Sequence, residues 1–406
     1  MDGGTMAQAC DKDNGQELFP VVLRGGRLPC GEMRGATTEE ADGRWMAEAL
    51  ALAQRGEGLT RPNPPVGAVV VAGGHRVGQG YHRKAGGPHA EVDALRQAGR
   101  RARGATLYVT LEPCCTWGRT PPCTDAILAS GIKRVVVATG DPNPRHRGRG
   151  SSLLRRAGLE VTLGVGESEA LKLIRPFTAW MGAGRPWVTL KLAATLDGRI
   201  ADASGQSRWI TGSGARQAVQ ALRRASDAVM VGVGTAVADD PSLLPRPARG
   251  RSPWRVIVDS AGRLPLTAVV LTDDACRRTV IATTSRCPDV RARGYERAGA
   301  HVLRLPAAGR QVSLIALMAA LREREVMRVL CEGGGELSAS LLQAGLVDEI
   351  VLFVAPKVFG GRAVNAVGGT GWPLAAAPQF VLEAVERFGP DVALRYVRPS
   401  RKTAAK

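Results

Sequence analysis

Residues 88–123 read PHAEVDALRQAGRRARGATLYVTLEPCCTWGRTPPC. The stretch from Pro88 to Gly99 is punctuated as a short helix. Proline suits a helix start, where its missing amide hydrogen costs nothing, and glycine suits the step past a helix end. ATLYVTLEP, residues 105–113, then reads as a strand rich in β-branched and aromatic residues. Cys114 ends that strand, and Cys123 opens a second helix, CTDAILASG. His89, Cys114 and Cys123 therefore fall at the ends of elements, where the chain can bring them together. One imidazole and two thiolates are zinc ligands, and three protein ligands leave the fourth tetrahedral position open, as a catalytic site requires. Glu91 lies two residues after His89 and supplies a carboxylate that can take a proton from water and return it to a leaving group. Cys115 is a candidate fourth ligand, which would make the site structural. Adjacent residues rarely face the same ion, and the catalytic reading is the stronger one.

Working outward, WMAEALALAQRG (45–56) has apolar positions at helical spacing, and Arg61-Pro-Asn-Pro-Pro65 makes a rigid turn. VGAVVVAG (66–73) and HRVGQGYH (75–82) read as strands. KRVVVATGD is a further strand, SSLLRRAG a helix and LEVTLGV a strand. SEALKLIRPFTAWMGAGRP is a helix and linker that leaves the domain near residue 184. Strands alternating with helices predict an α/β sheet covered on both faces. The second half restarts the pattern. PWVTLKLAATLDGRIA opens with a strand, ARQAVQALRRASD is a helix, and AVMVGVGTAVADDP is a strand and turn. WRVIVDS and TVIATT are strands, and 326–361 gives strand, Gly-rich turn, helix and strand. Residues 1–42 lack periodicity and read as a poorly ordered extension. The expected units are 43–184 and 185–400.

A chain of 406 residues exceeds one ordinary core and fits two domains. The formal net charge of +18 invites a nucleic-acid reading. The arginines are scattered, however, and aromatics make up only 4% of residues, too few for base stacking. No nucleic-acid partner is expected. Dispersed arginine fits small phosphorylated substrates better, because guanidinium matches phosphate bidentately. No apolar run of membrane-spanning length occurs, so no membrane partner is expected. The first residues lack a signal-peptide pattern, and a cytoplasmic location is the default expectation. The eight cysteines are then ligands or free thiols rather than a disulfide framework.

The His-x-Glu and Pro-Cys elements are those of zinc deaminases of nucleobases, although here eight residues separate the two cysteines. The chain resembles the bifunctional deaminase–reductases of riboflavin biosynthesis. The resemblance lies in Pro62-Asn-Pro-Pro-Val-Gly67, Pro88-His-Ala-Glu-Val92, Thr110-Leu-Glu-Pro-Cys114, Gly118-Arg-Thr-Pro-Pro-Cys123 and Asp141-Pro-Asn-Pro144. It continues in 190–199, Ser207-Arg-Trp-Ile-Thr211, Ala238-Asp-Asp-Pro241, Glu332-Gly-Gly-Gly335 and Ala355-Pro-Lys357. It implies an α/β architecture: an N-terminal cytidine-deaminase-like three-layer α/β/α domain, then a dihydrofolate-reductase-like α/β domain. It implies zinc-dependent removal of an amino group from a phosphoribosylated diaminopyrimidine, then reduction of the ribosyl group by NADPH. A dimer or larger homo-oligomer is implied as well.

The same resemblance gives His89, Cys114 and Cys123 as zinc ligands and Glu91 as the general acid and base. Asn63, Arg119, Asp141 and Asn143 correspond to contacts with the pyrimidine and its ribose phosphate. Ala193, Trp209, Thr235, Asp239, Ser260, Gly334 and Gly335 correspond to NADPH contacts. Lys191, Ser207, Arg223, Leu243, Arg246 and Glu332 correspond to substrate contacts in the second half. Taken alone, Trp209 reads equally as core packing and the glycines as a turn. His82 is a candidate substrate contact, and His75 reads as a surface turn residue. Thr116 stands where the family has a substrate-contacting histidine, Pro65 replaces a common asparagine, and His146 and Arg147 replace small or apolar residues. These departures leave an alternative: a paralogue acting on a related pyrimidine in pteridine or azapteridine metabolism, with one half altered.

Overall fold

The computed structural model describes residues 37–248 and 252–399, so most of the expected extension lies outside the described residues. Its last part does not behave as expected. Helix α1 (Thr38–Gln54) begins at Thr38 rather than Trp45, closed by a capping box in which Thr37 and Glu40 bond each other's backbone amides. Asp42, buried on this helix, accepts bonds from Tyr108 at 2.8 Å and from Arg134 at 2.6 and 2.8 Å. The polar first turn carries no apolar periodicity. A cap and a buried ion pair hold it instead.

The first sheet contains β1 (Gly67–Ala72), β2 (His75–Tyr81), β3 (Thr106–Leu111), β4 (Arg134–Thr139) and β5 (Glu160–Leu163), in the order β2-β1-β3-β4-β5. β1 runs antiparallel to β2 and β3, and the remaining pairs are parallel. Alternate residues face opposite cores. Val70, Val109 and Val137 pack with α2 (Ala90–Ala98), α3 (Cys123–Ser130) and α4 (Arg149–Arg156). Val69, Tyr108 and Val136 pack with α1 and with α5 (Glu167–Leu173). This is the expected three-layer arrangement. Gly80 fixes one close joint: a Cβ there would sit 2.4 Å from the Ala90 carbonyl oxygen, so only glycine lets the start of α2 lie on β2. The predicted exit helix is two helices, α5 and α6 (Arg175–Gly182), with residues 183–186 linking the units.

The second sheet has nine strands. They are β6 (Trp187–Thr195), β7 (Ala228–Gly232), β8 (Trp254–Val258), β9 (Thr279–Thr283), β10 (His301–Arg304), β11 (Arg328–Cys331), β12 (Glu349–Ala355), β13 (Val381–Phe388) and β14 (Asp391–Val397). Their order is β10-β9-β8-β7-β11-β6-β12-β14-β13. The pairs from β10 through to β12 are parallel, and the hairpin β13–β14 runs antiparallel at the edge. From β7 the chain steps outward through β8, β9 and β10. It then returns at β11 on the other side of β7, so the crevice between β7 and β11 is a topological switch point.

The segment after β7, read as a turn, is helix α8 (Val233–Asp239), which follows α7 (Ser213–Ala225). Gly232 caps it with extended backbone, and its valines, which suit strands by propensity, obscure it. Helices α9 (Asp289–Arg297) and α10 (Leu314–Glu323) and the edge hairpin were not anticipated from sequence. Helix α11 (Gly335–Gln343) was. Among the described residues no helix is long and apolar enough to cross a membrane.

The two units are locked together. In the turn before Asn63, Arg61 pairs with Asp227 at the foot of β7, and both side chains are 5% exposed. Glu57 pairs with Arg328 at 2.6 Å, and Arg175 with Glu383 at 2.5 and 2.8 Å.

Candidate active sites

Three elements deliver the first site. His89 is the N-cap of α2, Cys114 follows β3 and Cys123 is the first residue of α3. Their ligand atoms all lie within 4.8 Å of one another. His89 Nδ1 is 3.0 Å from Cys123 Sγ and 3.6 Å from Cys114 Sγ. Ordinary Zn–N and Zn–S lengths at a tetrahedral angle require an N–S separation of roughly 3.5 Å, so the residues fit the ion. Thr120 Oγ1 lies 3.2 Å from His89 Nε2. Nε2–H thus has an acceptor, which leaves Nδ1 as the ligating atom. The Cys123 hydrogen bond, with His89 beside it, holds the Cys114 thiol down to about 4, while the Cys114 bond and burial push Cys123 up. A divalent cation bound here would displace the protons of both thiols. Cys115 does not join the cluster, so the donor set is three. The six cysteines among the described residues are all free thiols.

The cluster sits in a cavity of about 330 Å³. Glu91, 3% exposed, lines it, and burial pushes its carboxyl above the ordinary range. Asn63, Asp141 and Asn143 line it as well. So does His82, but as a support. His82 Nδ1 lies 3.0 Å from the Pro88 carbonyl, so it carries the proton, and Nε2 accepts from Asn63 Nδ2 at 3.1 Å. The Asn63 amide is thereby oriented and its carbonyl oxygen remains available. Burial lowers the pKa of His82, in keeping with a neutral ring. His75 is exposed beside a turn, as expected.

Two expected positions fall elsewhere. Arg119 is exposed, is not part of the cavity wall and faces Glu325 of the second unit at 3.7 Å. Pro65 is buried beside the cavity without lining it. His146 does line it, and its Nδ1 is 3.4 Å from Thr116 Oγ1. An imidazole thus lies against Thr116 on the cavity wall. The apolar wall of Phe177, Trp180 and Met181, from α6, was not foreseen. Nor was Glu112, whose buried carboxylate accepts the Asp141, Gly148 and Ser151 amides at 3.2, 2.8 and 2.9 Å. A carboxylate closing the apolar run TLYVTLE was the available signal.

The second site gathers at the carboxyl ends of β6, β7 and β11. Arg223 of α7 grips Glu332, just past β11, with two bonds of 2.6 and 2.9 Å. Burial opposes ionisation of Glu332, but the Arg223 bonds and charge outweigh it and hold the carboxyl below the usual range. Burial likewise lowers Lys191, against the pull of Glu332. Arg223 also bonds the Leu244 carbonyl at 3.2 Å, and Gln220 holds the Arg246 amide at 2.8 Å. Lys191, Arg223, Arg246 and Glu332 are therefore brought together. The Leu243 side chain is 1% exposed within the core, so only its backbone, at φ 59°, can meet a substrate.

Ser207 Oγ donates to Asp239 at 3.4 Å, joining an expected substrate contact to an expected cofactor contact. Trp209 is 64% exposed with the Arg216 guanidinium 4.8 Å above its ring, which removes the core-packing reading. At the switch point the Gly334 amide donates to Thr235 Oγ1 at 3.1 Å, which places Thr235 and the Gly-rich turn side by side. At Gly335 a Cβ would meet the Asn365 carbonyl at 2.6 Å, so its missing side chain admits the 365–368 loop. Ser260, just past β8, is already bonded by the Val312 amide at 3.0 Å. Ala193 is half-buried on β6 and packs towards Val219 and Phe353.

Residues 186–394 match the RibD C-terminal domain family, and residues 39–139 match the cytidine and deoxycytidylate deaminase zinc-binding region. The riboflavin biosynthesis protein RibD of Aquifex aeolicus is 47% identical over 332 residues, covering 81% of this chain and 91% of that protein. The Escherichia coli RibD is 43% identical over 369 residues, covering 87% and 98%. A solved structure of Acinetobacter baumannii RibD superposes with a TM-score of 0.80 at 41% identity, covering 89% of this chain and all of that one.

Proposed function

The chain belongs to the RibD family and is a bifunctional deaminase and reductase of riboflavin biosynthesis; we propose that the first unit removes the amino group and the second reduces the sugar, with the residues below carrying the two steps. The substrate of the first step is 2,5-diamino-6-(5-phosphoribosylamino)pyrimidin-4-one. The observation that carries this reading is the three-ligand cluster facing Glu91 inside one cavity.

His89, Cys114 and Cys123 hold zinc, which when bound supplies a Lewis acid that makes water nucleophilic near neutral pH. Glu91 takes the proton of the attacking water at its carboxylate and returns it to the departing amine. Its burial favours the protonated form that the second half of this cycle needs. Asn63, oriented by His82, offers its carbonyl oxygen to an amino group of the pyrimidine. Asp141 and Asn143 take the sugar side. Phe177 and Trp180 cover the ring and exclude bulk water.

In the second unit NADPH supplies the hydride. The dinucleotide is held at the switch-point crevice by Thr235 and Gly334, which lie side by side, with Trp209 and Asp239 as its further contacts. Lys191, held between burial and Glu332, is the group placed to pass a proton to the opening sugar. Arg223 keeps Glu332 ionised and aimed. Ser207 and Arg246 hold the sugar phosphate. Assembly as a dimer or larger is carried over from the family resemblance.

The test supplies purified protein with the diaminopyrimidine ribosyl phosphate and follows ammonia release and NADPH oxidation together. Ammonia release followed by NADPH consumption is expected. Ammonia release without NADPH use would remove the reductase assignment. NADPH use only with deaminated substrate would remove the deaminase assignment.

A further inference from the structure

The loop 240–246 of the second unit carries Leu243 and Arg246, both read as substrate contacts. It is held in an unfavourable shape. Of the three non-glycine residues with left-handed backbone among the described residues, two lie in this loop, Asp240 at φ 39° and Leu243 at φ 59°. Such a conformation is costly for a residue with a bulky side chain and persists only where the surroundings impose it. Arg223 and Gln220 of α7 hold the later part of the loop, at the Leu244 carbonyl and the Arg246 amide. The strained part, 240–243, rests on a different group.

Arg255, the second residue of β8, is fully buried. Its Nη1 donates to the carbonyl of Ser242, which lies between the two left-handed residues, at 3.3 Å. The same fork reaches both oxygens of Asp273 at 2.6 and 2.8 Å and the Val270 carbonyl at 3.0 Å. Asp273 closes the short helical turn Val269–Thr272, and the Val269 amide donates to Asp240 Oδ1 at 2.8 Å. The Leu243 side chain enters the same core as Val270 and Leu271. As a source of stability the pair is a poor choice, because apolar residues packed in place of a buried ion pair are often as stable or more so. Arg255 Nε has no partner among the described residues, which adds to the cost. The Val270 carbonyl also accepts from Thr279 at 2.7 Å and does not need Arg255. Among the described residues the Ser242 carbonyl accepts this bond alone. What a guanidinium adds over an apolar side chain is a fork of fixed directions. Being fully buried, Arg255 cannot touch a substrate, so it acts through the loop.

We propose that the buried Arg255–Asp273 pair is the positioning device of the reductase substrate loop. It holds the Ser242 carbonyl so that the Leu243 backbone and Arg246 meet the substrate in one fixed arrangement, and it sets substrate affinity rather than the stability of the fold. The proposal rests on the reductase reading of the second unit.

The experiment follows NADPH oxidation with deaminated substrate in the wild type, Arg255→Met/Asp273→Asn and Arg255→Lys. The double variant removes both charges at similar volume and keeps an acceptor for the Ala275 amide, which Asp273 now holds at 3.2 Å. Arg255→Lys keeps the charge and loses the fork. Both are expected to raise KM about tenfold, the scale of one lost hydrogen bond, with kcat held. The double variant should melt with the wild type, and ammonia release by the same protein should keep its KM. A wild-type KM in either variant overturns the proposal. So does a loss of reductase activity that comes with a fall in melting temperature and an equal loss of ammonia release, the mark of a purely structural pair. Hydrogen exchange of the unliganded proteins reads the loop without catalysis, and it decides the matter if the double variant does not fold. The amides of Leu243, Leu244 and Arg246 should exchange about tenfold faster in the variants, while those of β11 keep their protection. Unchanged exchange in the loop overturns the proposal. If the wild type oxidises no NADPH, the reductase reading fails while hydrogen exchange still tests the positioning.

Discussion

Replacing Asp227 with asparagine should damage the deaminase from inside the reductase unit. Asp227 lies at the foot of β7 and pairs with Arg61, and both side chains are 5% exposed. Its Oδ2 also accepts the Met327 and Arg328 amides at 2.7 and 2.8 Å. Burial pushes the carboxyl above its ordinary range against the pull of Arg61 and those amides, so ionisation here is costly and the pair's net worth is small. Removing one partner is another matter. Asparagine can still accept from the two amides, but it turns a neutral NH₂ towards a guanidinium that remains buried. Breaking a buried pair in this way costs about 3–5 kcal/mol. At roughly 2–4 °C per kcal/mol for a unit of this size, the melting temperature should fall by about 6–20 °C.

The double variant Arg61→Met/Asp227→Asn removes both charges, and it should recover about 2 kcal/mol relative to the sum of the single losses. Thermal unfolding followed by circular dichroism supplies the cycle. Arg61 immediately precedes Pro62 and Asn63 in the cavity wall. Below the melting transition, KM for ammonia release should therefore rise in Asp227→Asn while NADPH oxidation of deaminated substrate keeps its KM. An Asp227→Asn protein that melts with the wild type, or a double variant as unstable as the two losses added, would refute the reasoning.

Glu91→Gln should retain zinc and lower the rate of ammonia release by about two to four orders of magnitude, the usual worth of a positioned acid and base, with NADPH oxidation of deaminated substrate intact. Zinc analysis of Cys115→Ser should give the wild-type stoichiometry, whereas Cys114→Ser and Cys123→Ser should lose the ion, since only the latter two share the cluster with His89. Glu332 is held below the ordinary carboxyl range by Arg223, so its stabilisation is complete above the unfolded glutamate value of about 4.3 and is lost as pH falls through the folded value. The melting difference between wild type and Glu332→Gln should accordingly stay constant from neutral pH to about 4.3 and shrink below it; a difference that grows on acidification contradicts the assignment. His146→Ala should raise KM for ammonia release, because His146 lines the cavity against Thr116, and an unchanged KM would show that the Thr116–His146 contact has no part in binding.

How much of this was legible in the sequence depends on what each residue does. The zinc ligands were readable because few side chains bind the ion and because His89, Cys114 and Cys123 each sit at an element end that punctuation reveals. The layers were readable because apolar residues in β1, β3 and β4 alternate between two cores. Side-chain direction was not readable. Arg119 stands four residues before Cys123 in sequence yet turns outward to Glu325, and the Leu243 side chain enters the core. At Gly335 the sequence did not show that the missing side chain makes room for the 365–368 loop.

Residues that act on other residues left the weakest trace. Thr120, His82 and Glu112 touch a ligand, an amide side chain and three backbone amides respectively, and none of these partners is its neighbour in sequence. The same holds between the units. The cavity of the first unit is closed by α6, which follows its last strand, and its Asn63 turn is anchored on Asp227, far along the chain. Each half carries its own reaction groups, and that is why the motifs read so clearly in isolation. The deaminase pocket nevertheless leans on the reductase sheet, where Asp227 pairs with Arg61 beside the Asn63 turn. A first unit expressed alone should therefore bind zinc, because all three ligands are its own, and recognise the pyrimidine poorly, because the turn that aims Asn63 has lost its anchor.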